Sequence, residues 1–229
     1  MGDSMKETKK IRVKVKKRKL KVKNILIFIL SILLLITFIY FILNIIIKNI
    51  YIINNNIISD KEIIDNAKLS NYPSYLLNPS YFLEKNILNN PYIKKVKVEK
   101  KQFKVYINIT EYKQLAIYNN KILLENNTLV DNIYNIKELP IIINSIDTLS
   151  FSNYFSKVDN NVLLKISQIE YTPNDVDKER YLLYMNDGNN VYITLSKIDK
   201  VNKYSSIVSQ MEGKKGIIYL DSGDYIELK

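Results

Sequence analysis

The run VKVEKKQFKVYINIT, residues 96–110, decides the fold. Val96 and Val98 alternate with Lys97 and Glu99. Past the turn Lys100-Lys101-Gln102, Phe103, Val105, Ile107 and Ile109 alternate with Lys104, Tyr106, Asn108 and Thr110. A period of two puts the apolar residues on one side of a pleated strand, so this is a hairpin with one greasy and one polar face. Such a sheet needs a cover on its apolar side alone.

The cover is encoded upstream. Ser59 stands three residues before Glu62, the spacing of a capping box, and Ile63, Ile64 and Ala67 give the segment after it an apolar stripe. Asn78-Pro79 sets up a second helix, with Asn78 as N-cap and Pro79 at the first helical position, and Asn89-Asn90-Pro91 ends it. Before both helices, residues 48–53 (KNIYII) form a β-type run closed by Asn54-Asn55-Asn56. The order is strand, helix, helix, strand, strand.

Further upstream, residues 25–47 (ILIFILSILLLITFIYFILNIII) carry no charge, and only Ser31, Thr37 and Asn44 are clearly polar. As a helix this segment is about 34 Å long, enough to cross a hydrocarbon layer of about 30 Å. No small-residue cleavage site follows it, so it reads as an uncleaved anchor in contact with the lipid bilayer. Residues 1–24 hold eleven Lys and Arg against Asp3 and Glu7, while the whole chain is +11. The basic excess therefore belongs to the tail, which reads as a disordered cytoplasmic flank rather than a nucleic-acid site. The C-terminal part is then extracytoplasmic.

Downstream, Lys121 to Leu124, the turn Glu125-Asn126-Asn127 and Leu129-Val130-Asp131 form a strand pair, and Leu139-Pro140-Ile141-Ile142 follows. Residues 153–166 read as a broken helix. Tyr181 to Met185 and Val191 to Leu195 flank a Gly188 hairpin loop. Ile198, Val201, Tyr204, Val208 and Met211 recur at helical spacing, with Gly213 as C′ residue, and Gly216 to Glu227 closes the chain.

Asn90-Pro91-Tyr92-Ile93-Lys94-Lys95-Val96-Lys97-Val98 and Val105-Tyr106-Ile107-Asn108-Ile109-Thr110-Glu111-Tyr112-Lys113-Gln114-Leu115-Ala116, in that order after one span, resemble the FtsQ/DivIB family of bacterial cell-division proteins. Leu129-Val130-Asp131, Leu139-Pro140-Ile141 and the closing Gly216 to Glu227 extend the likeness; Gln114 departs from it, standing where Pro is usual. The resemblance implies an α+β chain: a single transmembrane helix (25–47), a POTRA (polypeptide-transport-associated) domain over 48–116, and a larger mixed β-sheet domain with flanking helices over 117–229. It also implies a single-pass cell-membrane protein enriched at the division septum; longer members add a C-terminal tail, which is not expected here beyond Lys229. Its expected partners are FtsB/DivIC-like and FtsL-like bitopic proteins, and septal wall synthases beyond them. The docking residues it implies are Ile217, Ile218, Tyr219, Leu220, Ser222, Gly223, Asp224 and Tyr225. There Ile217 to Leu220 would be an end strand offering a free edge, and Tyr219 and Tyr225 the anchors.

Chemistry is sparse. With no His and no Cys there is no Ser-His or Cys-His nucleophile, no Cys/His zinc site and no disulfide. Five glycines form no phosphate-cradling motif, so neither a cofactor nor a small-molecule substrate is expected. Asp187-Gly188 lacks the ligand spacing of a calcium loop. Carboxylate pairs (Asp221 with Asp224, Asp175 with Asp177, Asp131 with Glu138) leave open a wall hydrolase, though each sits where Asp favours turns. A POTRA-type chaperone, binding extended peptides at the 93–109 sheet edge, is the other alternative to a non-catalytic scaffold.

Overall fold

The computed structural model describes residues 21–228, so the tail expected over residues 1–24 lies, except for its last four residues, outside the described residues. The chain divides at Ile45/Ile46 into an N-terminal helix and a compact α+β unit.

The helix, α1, spans Val22–Leu43 and buries no residue against protein. Its polar side chains turn back onto its own backbone: Ser31 Oγ donates to Phe28 O at 2.7 Å, and Thr37 Oγ1 to Leu33 O and Leu34 O at 3.1 and 2.9 Å. Both hydroxyls are thereby satisfied without a partner outside the helix. α1 is long and apolar enough to cross a membrane. It starts three residues before and stops four residues short of the expected span, since Asn44 caps it through Nδ2 to Tyr40 O and Ile47 is a fully buried residue of the α+β unit.

The first sheet is the POTRA arrangement. β1 (Asn49–Ile53), α2 (Asp60–Asn66), α3 (Ser80–Ile87), β2 (Ile93–Lys101) and β3 (Lys104–Glu111) follow in order, and the strands lie β1-β3-β2, with β1 parallel to β3. Val96, Val98, Val105, Ile107 and Ile109 fill the buried face beneath Ile63, Ala67, Leu83 and Ile87 of the helices. Ser59 caps α2 by accepting from Glu62 N at 3.3 Å. α3 starts one residue later than expected: Pro79, in extended backbone, holds the cap position, and Asn78 Nδ2 donates to Ser74 O instead. The hairpin turn is also one step later, at Gln102-Phe103, both at positive φ, as a two-residue turn between right-twisted strands requires. Glu111 closes the layer: its carboxylate accepts from the backbone N–H groups of Asn56, Ile57 and Ile58, each at 3.1 Å, and so fixes the loop between β1 and α2.

The second sheet has nine strands in the order β12-β11-β10-β9-β8-β7-β4-β5-β6. They are β4 (Gln114–Tyr118), β5 (Lys121–Leu124), β6 (Leu129–Asp131), β7 (Ile141–Ile142), β8 (Ile166–Tyr171), β9 (Arg180–Met185), β10 (Asn190–Thr194), β11 (Gly216–Tyr219) and β12 (Tyr225–Leu228). Since β4 already belongs to this sheet, the change of sheet falls at Tyr112–Lys113, ahead of the expected 116/117. Of the three parallel pairs, β4–β7 is joined through β5 and β6, while β7–β8 and β10–β11 need helical crossovers. The first is α4 (Thr148–Phe155) with α5 (Asn160–Leu163), and the second a 3-10 segment (Leu195–Lys203) running into α6 (Tyr204–Ser209). Phe151 and Phe155, stacked at 4.0 Å, pack with Tyr181, Ile193 and Val201 in the core between helices and sheet.

Two expectations change here. The broken helix of 153–166 is α4 and α5, and Ile166 opens a strand. The amphipathic helix of 198–211 is 3-10 over its first half, with a non-helical residue at Lys197. It is capped at Gln210, so Gly213 (φ 79) lies two residues past the C′ position.

The two sheets meet through side chains. Tyr134 OH donates to Glu62 Oε1 at 2.6 Å, Asn90 Nδ2 reaches the same oxygen at 3.0 Å, and Tyr92 OH donates to Asp131 O at 2.8 Å. Burial, then the Glu62 bond, push the Tyr134 hydroxyl up to about 12.

Candidate partner-docking surface

The far end of the nine-stranded sheet is built by β10, β11 and β12. β11 is not an end strand: it pairs in parallel with β10 and antiparallel with β12, so both of its edges are occupied. The free edge expected at Ile217–Leu220 therefore lies one strand further out. β12 pairs on one side with β11, and among the described residues no strand pairs its other side. All four of its residues are exposed.

Why two strands form from one closing stretch is a matter of the turn. Leu220 to Asp224 reverse the chain, with Asp224 at φ 55, and the turn is tied down by cations from the 3-10 segment. Lys200 Nζ bonds Asp224 Oδ1 at 2.6 Å and Lys197 Nζ reaches Asp221 O at 3.3 Å. Arg180 Nε holds Asp221 Oδ2 at 2.7 Å. Burial alone would raise the Asp221 carboxyl, but the bonds from Arg180 and Ser222 outweigh it and hold it below the ordinary range.

The expected docking residues fall into three groups. Ile218 and Leu220 point into the core, 1% and 5% exposed, packed under α6. Ile217 and Tyr219 are half-buried on the opposite face, whereas Ser222, Gly223, Asp224 and Tyr225 are exposed in the turn and at the start of β12. Tyr219 and Tyr225 come together: their rings stack at 4.5 Å, Tyr192 of β10 stacks on Tyr219 at 5.4 Å, and the Arg180 guanidinium lies 3.7 Å from the Tyr192 centroid. This ladder across four strands ends at the open edge. On the other side of β12, a groove of about 280 Å3 runs between it and α6, lined by Lys203, Ile207, Gln210 and Ile226 among others.

Sequence reasoning missed Ile226, Glu227 and Leu228 as edge residues, and Arg180 and Tyr192 as members of the ladder. The alternation Tyr225-Ile226-Glu227-Leu228 was a readable strand signal; the pairing of Tyr192 with Tyr219 across a crossover had none.

Elsewhere the chemistry is structural. Asp175 pairs with Lys178 at 3.7 Å, Asp177 accepts from Thr194 Oγ1 and Glu179 N, and Asp131 meets Lys121 at 3.3 Å. Among the described residues the carboxylates with displaced titration, Glu99, Asp147 and Asp221, all move down, opposite to what a general acid needs. Asp187, in the calcium-like loop, accepts the Tyr204 hydroxyl through both oxygens at 2.8 and 2.7 Å. Among the described residues no cluster of His, Cys, Asp or Glu could hold a metal ion. The β2 edge of the POTRA sheet carries Lys94, Lys95, Lys97, Lys100 and Lys101, and its Val98 N–H already donates to Glu84 at 2.7 Å. Both features discourage strand addition there.

A membrane-length helix followed by a strand-helix-helix-strand-strand sheet and a large mixed sheet defines a membrane-attached POTRA protein, and residues 46–112 match the family described as "POTRA domain, FtsQ-type". Over 185 residues the chain is 32% identical to the cell division protein DivIB of Bacillus subtilis (strain 168), covering 74% of this chain and 69% of that protein. Over 166 residues it is 30% identical to DivIB of Listeria monocytogenes, covering 63% and 58%. Among solved structures it is similar to the major extracytoplasmic domain of the trans isomer of DivIB from Geobacillus stearothermophilus, at 24% identity and TM-score 0.38, covering 45% of this chain and 96% of that one. The chain belongs to the FtsQ/DivIB family of cell-division proteins.

Proposed function

We propose that this chain is a non-catalytic bitopic scaffold of the divisome, which captures FtsB/DivIC-like and FtsL-like proteins on its last sheet edge and so supports septal peptidoglycan synthesis. The observation that carries the reading is the open β12 edge, exposed over Tyr225–Leu228 at the end of a nine-stranded sheet in a DivIB-family chain. An unpaired edge with one charge in four residues can take a partner strand through backbone hydrogen bonds, while the Tyr219–Tyr225 stack and the α6 groove supply side-chain selectivity. The eleven basic residues ahead of the helix favour a cytoplasmic N-terminus and an extracytoplasmic α+β unit at the septum. The docking set is Ile217, Tyr219, Ser222, Gly223, Asp224 and Tyr225, extended to Leu228, with Ile218 and Leu220 supporting from the core.

Replacing Tyr225 by Asp tests it. Tyr225 is 51% exposed, so its loss costs the fold little, yet it removes an anchor and puts a charge at the edge. Capture of the purified small bitopic partners should weaken by about tenfold or more, as expected for loss of an aromatic hot spot. Unchanged capture would sink the docking assignment.

A further inference from the structure

The chain leaves α1 at Leu43 and joins the α+β unit at Ile46, three Cα steps later, so the covalent chain keeps Ile46 within about 11 Å of the helix end. Ile46 forms a bridge with Ser74, and Ile47 N donates to Pro73 O at 3.1 Å. The loop 72–78 is thereby fastened beside the point where the chain arrives. Its own inside is pinned: Lys100 Nζ donates to Tyr75 O and, at 2.9 Å, to Asn78 O, and lies 4.0 Å from the Tyr75 ring, which meets Phe103 edge-on.

With Tyr75 held inward, the loop turns its other large residues out. Tyr72 is 63% exposed, Leu76 47% and Leu77 63%, and Ile46 beside them is 53% exposed. The same stretch continues into the first turn of α3 with Tyr81 and Phe82, 67% and 58% exposed. Water is a poor neighbour for so many apolar groups in one region of a small unit. Tyr72 and Lys48 line one hollow of about 370 Å3, so a lysine stands beside the tyrosine of the exposed stretch. Apolar residues bordered by Tyr and Lys are what the boundary between acyl chains and headgroups selects.

We propose that Ile46, Tyr72, Leu76 and Leu77, continued by Tyr81 and Phe82, form a lipid-binding foot that seats in the interface of the same bilayer α1 crosses. The covalent reach from α1 commits the occupant to that lipid surface rather than to a second protein. The foot rests on the reading of α1 as a membrane span.

The chain has no cysteine, so single-cysteine variants carry one label each. Full-length Leu77→Cys, Phe38→Cys in α1 and Val176→Cys, whose side chain is 97% exposed, would be placed in phosphatidylcholine/phosphatidylglycerol nanodiscs with a polarity-sensitive fluorophore. A nitroxide on the lipid and iodide in the water are the two quenchers. The foot predicts strong lipid quenching at Leu77 and iodide quenching about threefold or more weaker than at Val176. A Leu77 label that behaves like the Val176 label overturns the proposal, and so does protection from both quenchers, which would mean a protein occupant. If the Phe38 label escapes the lipid quencher, the span reading itself fails and the foot with it.

Discussion

Gly216→Ala should detach the last strand. Gly216 carries no positive φ; what it supplies is room, because a Cβ built there would stand 2.3 Å from Glu227 O and 3.2 Å from Leu228 Cα. Both atoms are backbone of β12, so the contact is relieved only by moving the strand by about 1 Å, beyond what a paired ladder tolerates. The pairing at risk covers four residue pairs, Gly216 with Leu228 through Tyr219 with Tyr225. Such an antiparallel ladder makes about two to four hydrogen bonds, and at about 1 kcal/mol net for each its loss costs about 2–4 kcal/mol locally. Opposing this, Ala in place of Gly restricts the unfolded chain and gains about 0.4–1 kcal/mol. The net loss is about 1–3.5 kcal/mol, and at about 2–4 °C per kcal/mol for a chain of this size the unfolding midpoint should fall by about 2–14 °C. Hydrogen exchange read by mass spectrometry should show lost protection over residues 216–228 with the POTRA sheet unaffected. A variant as stable as the parent, or more stable, with residues 225–228 still protected would refute the packing argument, since only the unfolded-state gain would then remain.

Glu111→Ala removes the acceptor for the three N–H groups of Asn56, Ile57 and Ile58. With Ile58 buried, the cost should be about 2–3 kcal/mol, measured by urea unfolding, and a change below about 0.5 kcal/mol would mean water replaces the carboxylate. Tyr134→Phe breaks the bond to Glu62 that joins the two sheets and should cost about 1–2 kcal/mol. The same hydroxyl sets an alkaline limb: its folded pKa is raised to about 12, so its contribution is complete below the ordinary tyrosine pKa and is lost as pH climbs toward 12. Stability of the parent should therefore fall more steeply between pH 10 and 12 than that of Tyr134→Phe; equal slopes would contradict the assignment.

The POTRA sheet was legible because Val96–Glu99 and Lys104–Thr110 alternate without a break, the bulge of β2 falling earlier at Ile93–Lys95, and its helices carry their own start signals. Ser59 caps α2 as its spacing promised, and Val96, Val98, Val105, Ile107 and Ile109 lie on one buried face, while Phe103 is drawn out into the turn. Proline was read one position off at α3, because Asn78, the expected cap, turns its side chain back to Ser74 O instead. The nine-stranded sheet was harder. β8 was left without a reading past Ile166, since a bulge between Ile166 and Gln168 breaks its alternation, and the start of α4 is set by Asp147, which accepts from Leu149 N and Ser150 Oγ. The free edge was misplaced for a different reason. Gly216 to Glu227 reads as one closing run, and only the turn at Leu220–Asp224, held from outside by Lys197 and Lys200, divides it into an inner and an outer strand. Such long-range ties leave no local periodicity. The Tyr192–Tyr219–Tyr225 ladder is likewise a product of register between strands separated by a crossover.

The central claim is that β12 is the docking edge, and removing that strand alone tests it most directly. A chain ending at Asp224 loses the four exposed strand residues but keeps the Lys200–Asp224 bond of the turn and Ile218 and Leu220 in the core, whereas a cut at Gly216 would remove all of these. Co-purification of the detergent-solubilised full chain with FtsB/DivIC-like and FtsL-like proteins would be compared with that of the shortened chain, with thermal unfolding run on both. The account predicts capture by the full chain, and its loss in a shortened chain that remains folded. Undiminished capture without β12 would contradict it.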